Sequence, residues 1–279
     1  MRLVDLESAP AYGGGGIREG TLDTKELLVG REGHSNNYRV ALTLAETEWA
    51  APRHRHNFDQ IRFPISGAFH YSKDDILPAG HVAYFPEGVH YGPQLRQKGL
   101  LMLVIQFGGA SGQGFISEGQ LTRARDELGA KGIIEKGAYT HVDEDGKRHR
   151  QDGMEACWEY AMGRQLEYPA PRYEGQIKMN PANYDWIADE SLKGVAHKRL
   201  GTFTERNLRI GFVKLDHGAA LPVGTHDAPQ FLFLAEGRVA HAGKSFGRHA
   251  AFGFEANEAS ITLQAVEPSQ LLWVQLPRF

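Results

Sequence analysis

The 279-residue chain repeats itself, and the repeat restricts its fold more than any other feature. A shift of 170 residues lays two segments on each other without a gap. Over positions 37 to 67, eight of 31 residues are identical. They are Asn37 with Asn207, Arg39 with Arg209, Ala50 with Ala220, Pro52 with Pro222, His56 with His226, Gln60 with Gln230, Phe63 with Phe233 and Gly67 with Gly237. With small gaps the match extends to 101–107 against 270–276. A repeated sequence implies a repeated structural unit, here of roughly seventy residues. The expected organisation is an N-terminal arm with strands over 1–36, a first module over 37–107, an insert over 108–206 and a second module over 207–279.

Each module has a β pattern. Val40–Leu44, Gln60–Ile65, Ala68–Tyr71, Val82–Phe85 and Leu101–Phe107 are short and rich in branched and aromatic residues. Turn residues such as Ser66-Gly67 and Pro78-Ala79-Gly80 separate them. Many short antiparallel strands in so few residues predict a small barrel or jelly roll. The insert differs. Ser117-Glu118-Gly119-Gln120 has a capping-box pattern, followed by Leu121, Ala124 and Leu128 at helical spacing and a stop at Gly129. A second helix is predicted over Gly153–Met162, capped by Asp152 and ended by Gly163. His141 to His149, with Asp145-Gly146 at its centre, predicts a hairpin. Tyr168 to Tyr184 is rich in Pro, Asn and Gly, so an extended segment wrapped on a surface is expected.

Composition narrows the function classes. Apolar residues at 41% exclude disorder for the chain as a whole. Lys and Arg total 31 against 34 Asp and Glu, so no nucleic-acid partner is expected. The longest apolar run, Leu100 to Ile105, is far short of the ~20 residues of a membrane helix. Arg2, Asp5 and Glu7 spoil a secretory signal, and a cytoplasmic protein is expected. The single cysteine, Cys157, excludes an intrachain disulfide and a multi-cysteine zinc site. The run Gly13 to Gly16 is expected to be a flexible arm; no lysine follows it, as a phosphate loop would require.

The chemistry concentrates in Pro52-Arg53-His54-Arg55-His56-Asn57-Phe58-Asp59-Gln60. His54 and His56 are two apart, which on a strand places both on one face. Gln60 falls on that face if the strand stays regular, and His90 closes Tyr84-Phe85-Pro86-Glu87-Gly88-Val89-His90. His54-x-His56, three residues, Gln60, six residues, Gly67, and then the aromatic-Pro-x-Gly turn before His90, resemble the two motifs of the cupin family, and two modules resemble the bicupins. The resemblance covers about half the chain and implies an all-β fold: two jelly-roll barrels with a partly helical insert between them. It implies a divalent transition metal on His54, His56, His90 and Gln60, with Fe(II) first and Ni, Mn, Cu or Zn as alternatives. Gln60 stands where most cupins have Glu, so it is either a neutral ligand or an architectural hydrogen-bonder. Three-histidine sites of this kind occur among oxygenases that cleave enolisable and phenolic substrates.

Module two lacks the full set. Gly224 stands at the position of His54, while His226 and Gln230 persist; His241 and His249 lie out of motif. A structural role is expected for it. Arg62, Tyr84 and Gln106 are the candidate catalytic residues: Arg62 as a carboxylate clamp if it faces inward, Tyr84 as a proton donor, Gln106 as an interior polar group. His70 and Tyr71 are expected outside the barrel. The function expected is a mononuclear metal-dependent dioxygenase acting on a small anionic substrate, in a homodimer. The alternatives are a redox-inert metal-dependent isomerase, lyase or hydrolase, and a non-enzymatic small-molecule-binding cupin.

Overall fold

The computed structural model describes residues 1–13 and 20–279, so most of the glycine run lies outside the described residues. Each module is a pair of antiparallel sheets. In the first, the seven-stranded sheet runs Ile177–Met179, Val82–Phe85, Asp59–Ser66, Leu101–Phe107, Tyr38–Ala45, Leu22–Val29 and Ala11–Gly13 in spatial order. Its smaller partner is Trp49–Ala51, Gln94–Arg96, Ala68–His70 and Ile76–Pro78. The second module repeats the plan. Its seven strands are Arg2–Val4, Ala251–Phe254, Gln230–Glu236, Ser269–Gln275, Leu208–Leu215, Val195–Phe203 and Ile187–Ala188. Its four-stranded sheet is Ala220–Val223, Ile261–Ala265, Val239–His241 and Lys244–Phe246. This is the all-β, two-barrel architecture that the repeat predicts.

Alternation along the strands sorts side chains between two environments. On Asp59–Ser66, Gln60 and Arg62 turn into the barrel, while Ile61 and Phe63 turn out. The outward residues are apolar because the two large sheets pack against each other. Val40, Phe63, Leu103 and Ile105 share one core with Ile210, Phe212, Phe231 and Leu272. Phe63 meets Phe212 edge-on at 5.7 Å, and Tyr38 meets Phe231 at 4.4 Å. Each barrel has its own interior core as well. Tyr71 belongs to the first of these, buried against Phe85, and so is inside the barrel rather than outside as expected.

The insert folds as its capping residues dictate. Ser117 and Gln120 form the reciprocal capping box of the helix Glu118–Gly129. Asp152 accepts from the Met154 and Glu155 N–H groups at the head of Gly153–Met162, and Gly163 ends that helix at φ 64°. The hairpin pairs Ala138–Val142 with Arg148–Asp152. The Pro-rich segment runs extended and adds Ile177–Met179 to the edge of the first barrel. No helix among the described residues is long and apolar enough to cross a membrane.

Candidate functional site

The histidine motif sits just ahead of the strand Asp59–Ser66, where the chain bridges to the segment after Pro86. His54 and Tyr91 exchange two backbone hydrogen bonds of 2.9 Å, and Gly88 N–H donates to His56 O. Residues directly opposite in an antiparallel pair share a side, and their neighbours take the other. His54 therefore shares its side with Tyr91, their rings 4.5 Å apart, and His56 is 4.9 Å from His54. His90 falls on the opposite face, exposed and beside Arg53 and Arg55. The expected convergence of His54, His56 and His90 is not what the structure forms. The inner side keeps one parity through this turn: Ala83, Phe85 and Tyr91 all belong to the interior core, so His90, like Tyr84, faces away from it.

Gln60 is inward and 1% exposed, but its amide is engaged. Nε2 donates to the Tyr91 hydroxyl at 2.9 Å, while Oε1 accepts from Arg62 and, at 3.3 Å, from Gln106. His54 Nδ1 lies 2.7 Å from Pro52 O, which can only accept, so Nδ1 carries the proton. His54 Nε2 lies 3.2 Å from Gln94 Nε2. The set inferred from the sequence thus fits a divalent ion poorly. One imidazole faces away, the Nε2 of another lies against the Gln94 amide nitrogen, and the glutamine oxygen faces a guanidinium. Among the described residues no three His, Cys, Asp or Glu side chains gather where they could hold an ion. The insert also closes this region. Arg55 stacks on Tyr168 at 3.9 Å, and the space that His56 shares with Trp158, Leu166 and Tyr168 is about 10 Å³, room for roughly one water.

Arg62 is the inward arginine anticipated from the sequence, 4% exposed. Arg96, which the sequence did not single out, joins it at 5%. Burial lowers the pKa of both, and burial with the nearby Arg62 charge brings Arg96 to about 9. Tyr84 does not reach this interior. It points toward the second module, packs on Phe203 and donates to Asp59 Oδ2 at 3.0 Å. Asp59 is fully buried, and burial with the Glu87 charge pushes its pKa up to about 8. Glu87 accepts from Ser111 and pairs with Arg172 of the insert at 2.7 Å.

The second barrel is open where the first is closed. A cavity of about 410 Å³ is lined by Arg199, Arg209, His226, Gln230 and Trp273, among others. Register explains its charge. Arg39, paired with Glu26 at 2.9 Å in the first barrel, corresponds to Arg209. Glu26 stands opposite Ala41 just before a bulge, and the residue opposite Gly211 just before the matching bulge is Arg199. The acid has become a base. Arg209 consequently has no ion-pair partner among the described residues. Gln230 is 2% exposed; Oε1 accepts from Trp273 Nε1 at 3.1 Å and Nε2 has no partner. Where the sequence suggested a purely structural module, the structure places a polar, cationic cup. The signal missed was the exchange of Glu26 for Arg199, hidden because the bulged strands do not follow the 170-residue offset.

No family model matches the chain, and no curated protein matches it by sequence. Solved structures do. A candidate dioxygenase from Nostoc punctiforme aligns with a TM-score of 0.66 at 10% identity, over 100% of this chain and 83% of its own. The pirin YhhW of Escherichia coli, in complex with nickel(II), aligns at 0.55 and 11% identity, over 100% and 99%. HEPD of Streptomyces albus, with 2-hydroxyethylphosphonate and Fe(II) bound, aligns at 0.56 and 11% identity, over 99% and 76%.

Proposed function

The chain is a bicupin by fold, and from that premise we propose that it binds a small organic anion in the mouth of its second barrel. The observation that carries this reading is the cavity of about 410 Å³ with Arg209 on its wall and, among the described residues, no acid in its lining. Ligand sites are concave, mostly apolar and fitted with a few convergent polar groups. Ile210, Phe212, Leu221 and Leu232 supply the apolar wall, Trp273 a flat aromatic surface, and Arg199, Arg209, His226 and the free Gln230 amide the polar groups. A guanidinium fork suits a carboxylate. The ligand class is therefore a small carboxylic acid with a planar or apolar body.

The test is a titration of Trp273 fluorescence with benzoate and with neutral benzamide. Benzoate should quench and benzamide should not. Charged hydrogen bonds of about 1.5–3 kcal/mol mean that Arg209→Ala should weaken benzoate by roughly ten- to hundredfold. Equal binding of benzamide, or an unaffected Arg209→Ala, would overturn the reading.

One observation favours a metal-dependent oxygenase: the His54–His56 pair at 4.9 Å, in a fold whose neighbours carry nickel(II) or Fe(II). Elemental analysis decides it. The packing around the pair supports a protein purified without stoichiometric metal; a full equivalent lost in His56→Ala would favour the oxygenase instead.

A further inference from the structure

Arg62 and Arg96 pose a charge problem: neither has a carboxylate partner among the described residues, although Arg96 also lies over the Trp49 ring at 4.6 Å. Both lie inside the first barrel, and their guanidinium carbons are 5.9 and 5.6 Å from the centroid of the same ring, Phe69. Arg62 donates to Gln60 Oε1, and Arg96 donates to Thr43 Oγ1 at 3.2 Å. Every one of these partners is neutral. Arg62 is acted on by Tyr91, with which it also hydrogen-bonds, and by Arg39; Arg96 is acted on by Arg62 and Tyr91; no carboxylate is among them. Glu26 is committed to Arg39. Arg62 Nε and Arg96 Nε are buried without a hydrogen-bond partner, as is the Gln94 carbonyl oxygen, which brings no charge. A buried charge without its counter-charge is costly.

The second barrel shows that the fold does not need this arrangement. By register, Arg62 corresponds to Leu232, Arg96 to Ala265 and Gln94 to Leu263. There Leu232, Leu263 and Ala265 belong to a buried apolar cluster. The arginines are therefore an addition to the first barrel, and each carries a donor with nothing to donate to.

We propose that the first barrel encloses a small oxyanion, of the size of formate, held between Arg62 and Arg96. The anion completes the two free Nε donors and supplies the missing negative charge. The closed mouth at His56 keeps organic acids of the size expected in the second barrel away from it. This proposal does not depend on the ligand of the second barrel.

The test exchanges the full-length protein into sodium gluconate, whose anion is too large to enter, and titrates sodium formate at constant ionic strength. Ligands that bind only the folded state raise its thermal midpoint saturably. Wild type should show that rise. The double variant Arg62→Leu/Arg96→Ala takes the residues of the second barrel and should stay folded while formate affinity falls at least tenfold. Arg209→Ala should keep the wild-type response, which separates this site from the cup of the second barrel. A wild type indifferent to formate, or a double variant that responds as strongly, overturns the proposal. Should the double variant not fold, the chloride-35 line width of wild type and of Arg209→Ala reads the site directly. Formate-reversible broadening in both supports it, and its absence overturns it.

Discussion

Gln60 and Gln230 occupy matching places and are held in the same way, each carbonyl accepting a side-chain N–H of its own barrel. The sequence offered that bracing role as one of two readings of Gln60, because the pair survives where the first histidine does not. What the sequence motif did not reveal was that Tyr91, rather than His90, continues the inward set of Ala83 and Phe85. The same network predicts what a charge at Gln60 would do. Gln60→Glu sets a carboxylate beside Arg62, and opposite charges at ~4 Å are worth about 4 kcal/mol at an effective dielectric near 20. The variant loses one donor to Tyr91 but carries its own counter-anion. It should stay folded, melt no lower than wild type, and no longer gain stability from formate in the same titration. A retained formate response would mean that the Arg62 charge is not what holds the anion.

At the scale of elements, the sequence was most informative where local chemistry decides. Ser117, Gln120, Asp152 and Gly163 cap and end two helices through local hydrogen bonds and backbone geometry. It was least informative where an element's role depends on a distant one. Asp59 opens its strand as an ordinary acid in sequence, yet it becomes fully buried once Tyr84, Glu87 and the insert close over it. Its folded pKa of about 8 lies above an unfolded value near 3.9. The neutral acid is thus the form that the fold favours. Stability from this group is complete below about pH 4, declines as the pH rises, and is fully lost above about pH 8. Urea midpoints should fall across that window. Asp59→Asn mimics the neutral acid: its oxygen can accept from Glu87 N–H while its amide donates to the Tyr84 hydroxyl. The variant should show a flatter pH profile and a higher midpoint than wild type near pH 8. An unchanged slope would assign the pH dependence to Glu87, whose pKa burial also raises.

The whole molecule is more than two barrels joined by a linker. The N-terminal strand Arg2–Val4 pairs with the second barrel, and the insert strand Ile177–Met179 pairs with the first, so each barrel is completed by chain from outside its repeat. Arg2 and Tyr38 both reach Glu255, and the apolar outer faces of the two large sheets form one continuous core. A barrel that unfolded alone would expose Phe212, Phe231 and Leu272 on its neighbour, along with the rest of that shared face. Such exposure is unfavourable by about 25 cal/mol per Å², so the two barrels should unfold together. Phe63 tests this, because it sits in the first barrel yet packs on Phe212 of the second. Truncating a buried Phe to Ala costs about 3–5 kcal/mol. In a cooperative molecule Phe63→Ala should lower the urea midpoint of both barrels equally, with one transition. Hydrogen exchange followed by mass spectrometry can read this separately, from peptides covering Leu101–Phe107 and Ser269–Gln275. Equal shifts in the two peptides fit a single folding unit. A first barrel that melts early while the second keeps its wild-type midpoint would mean that the shared core binds two domains without coupling their unfolding.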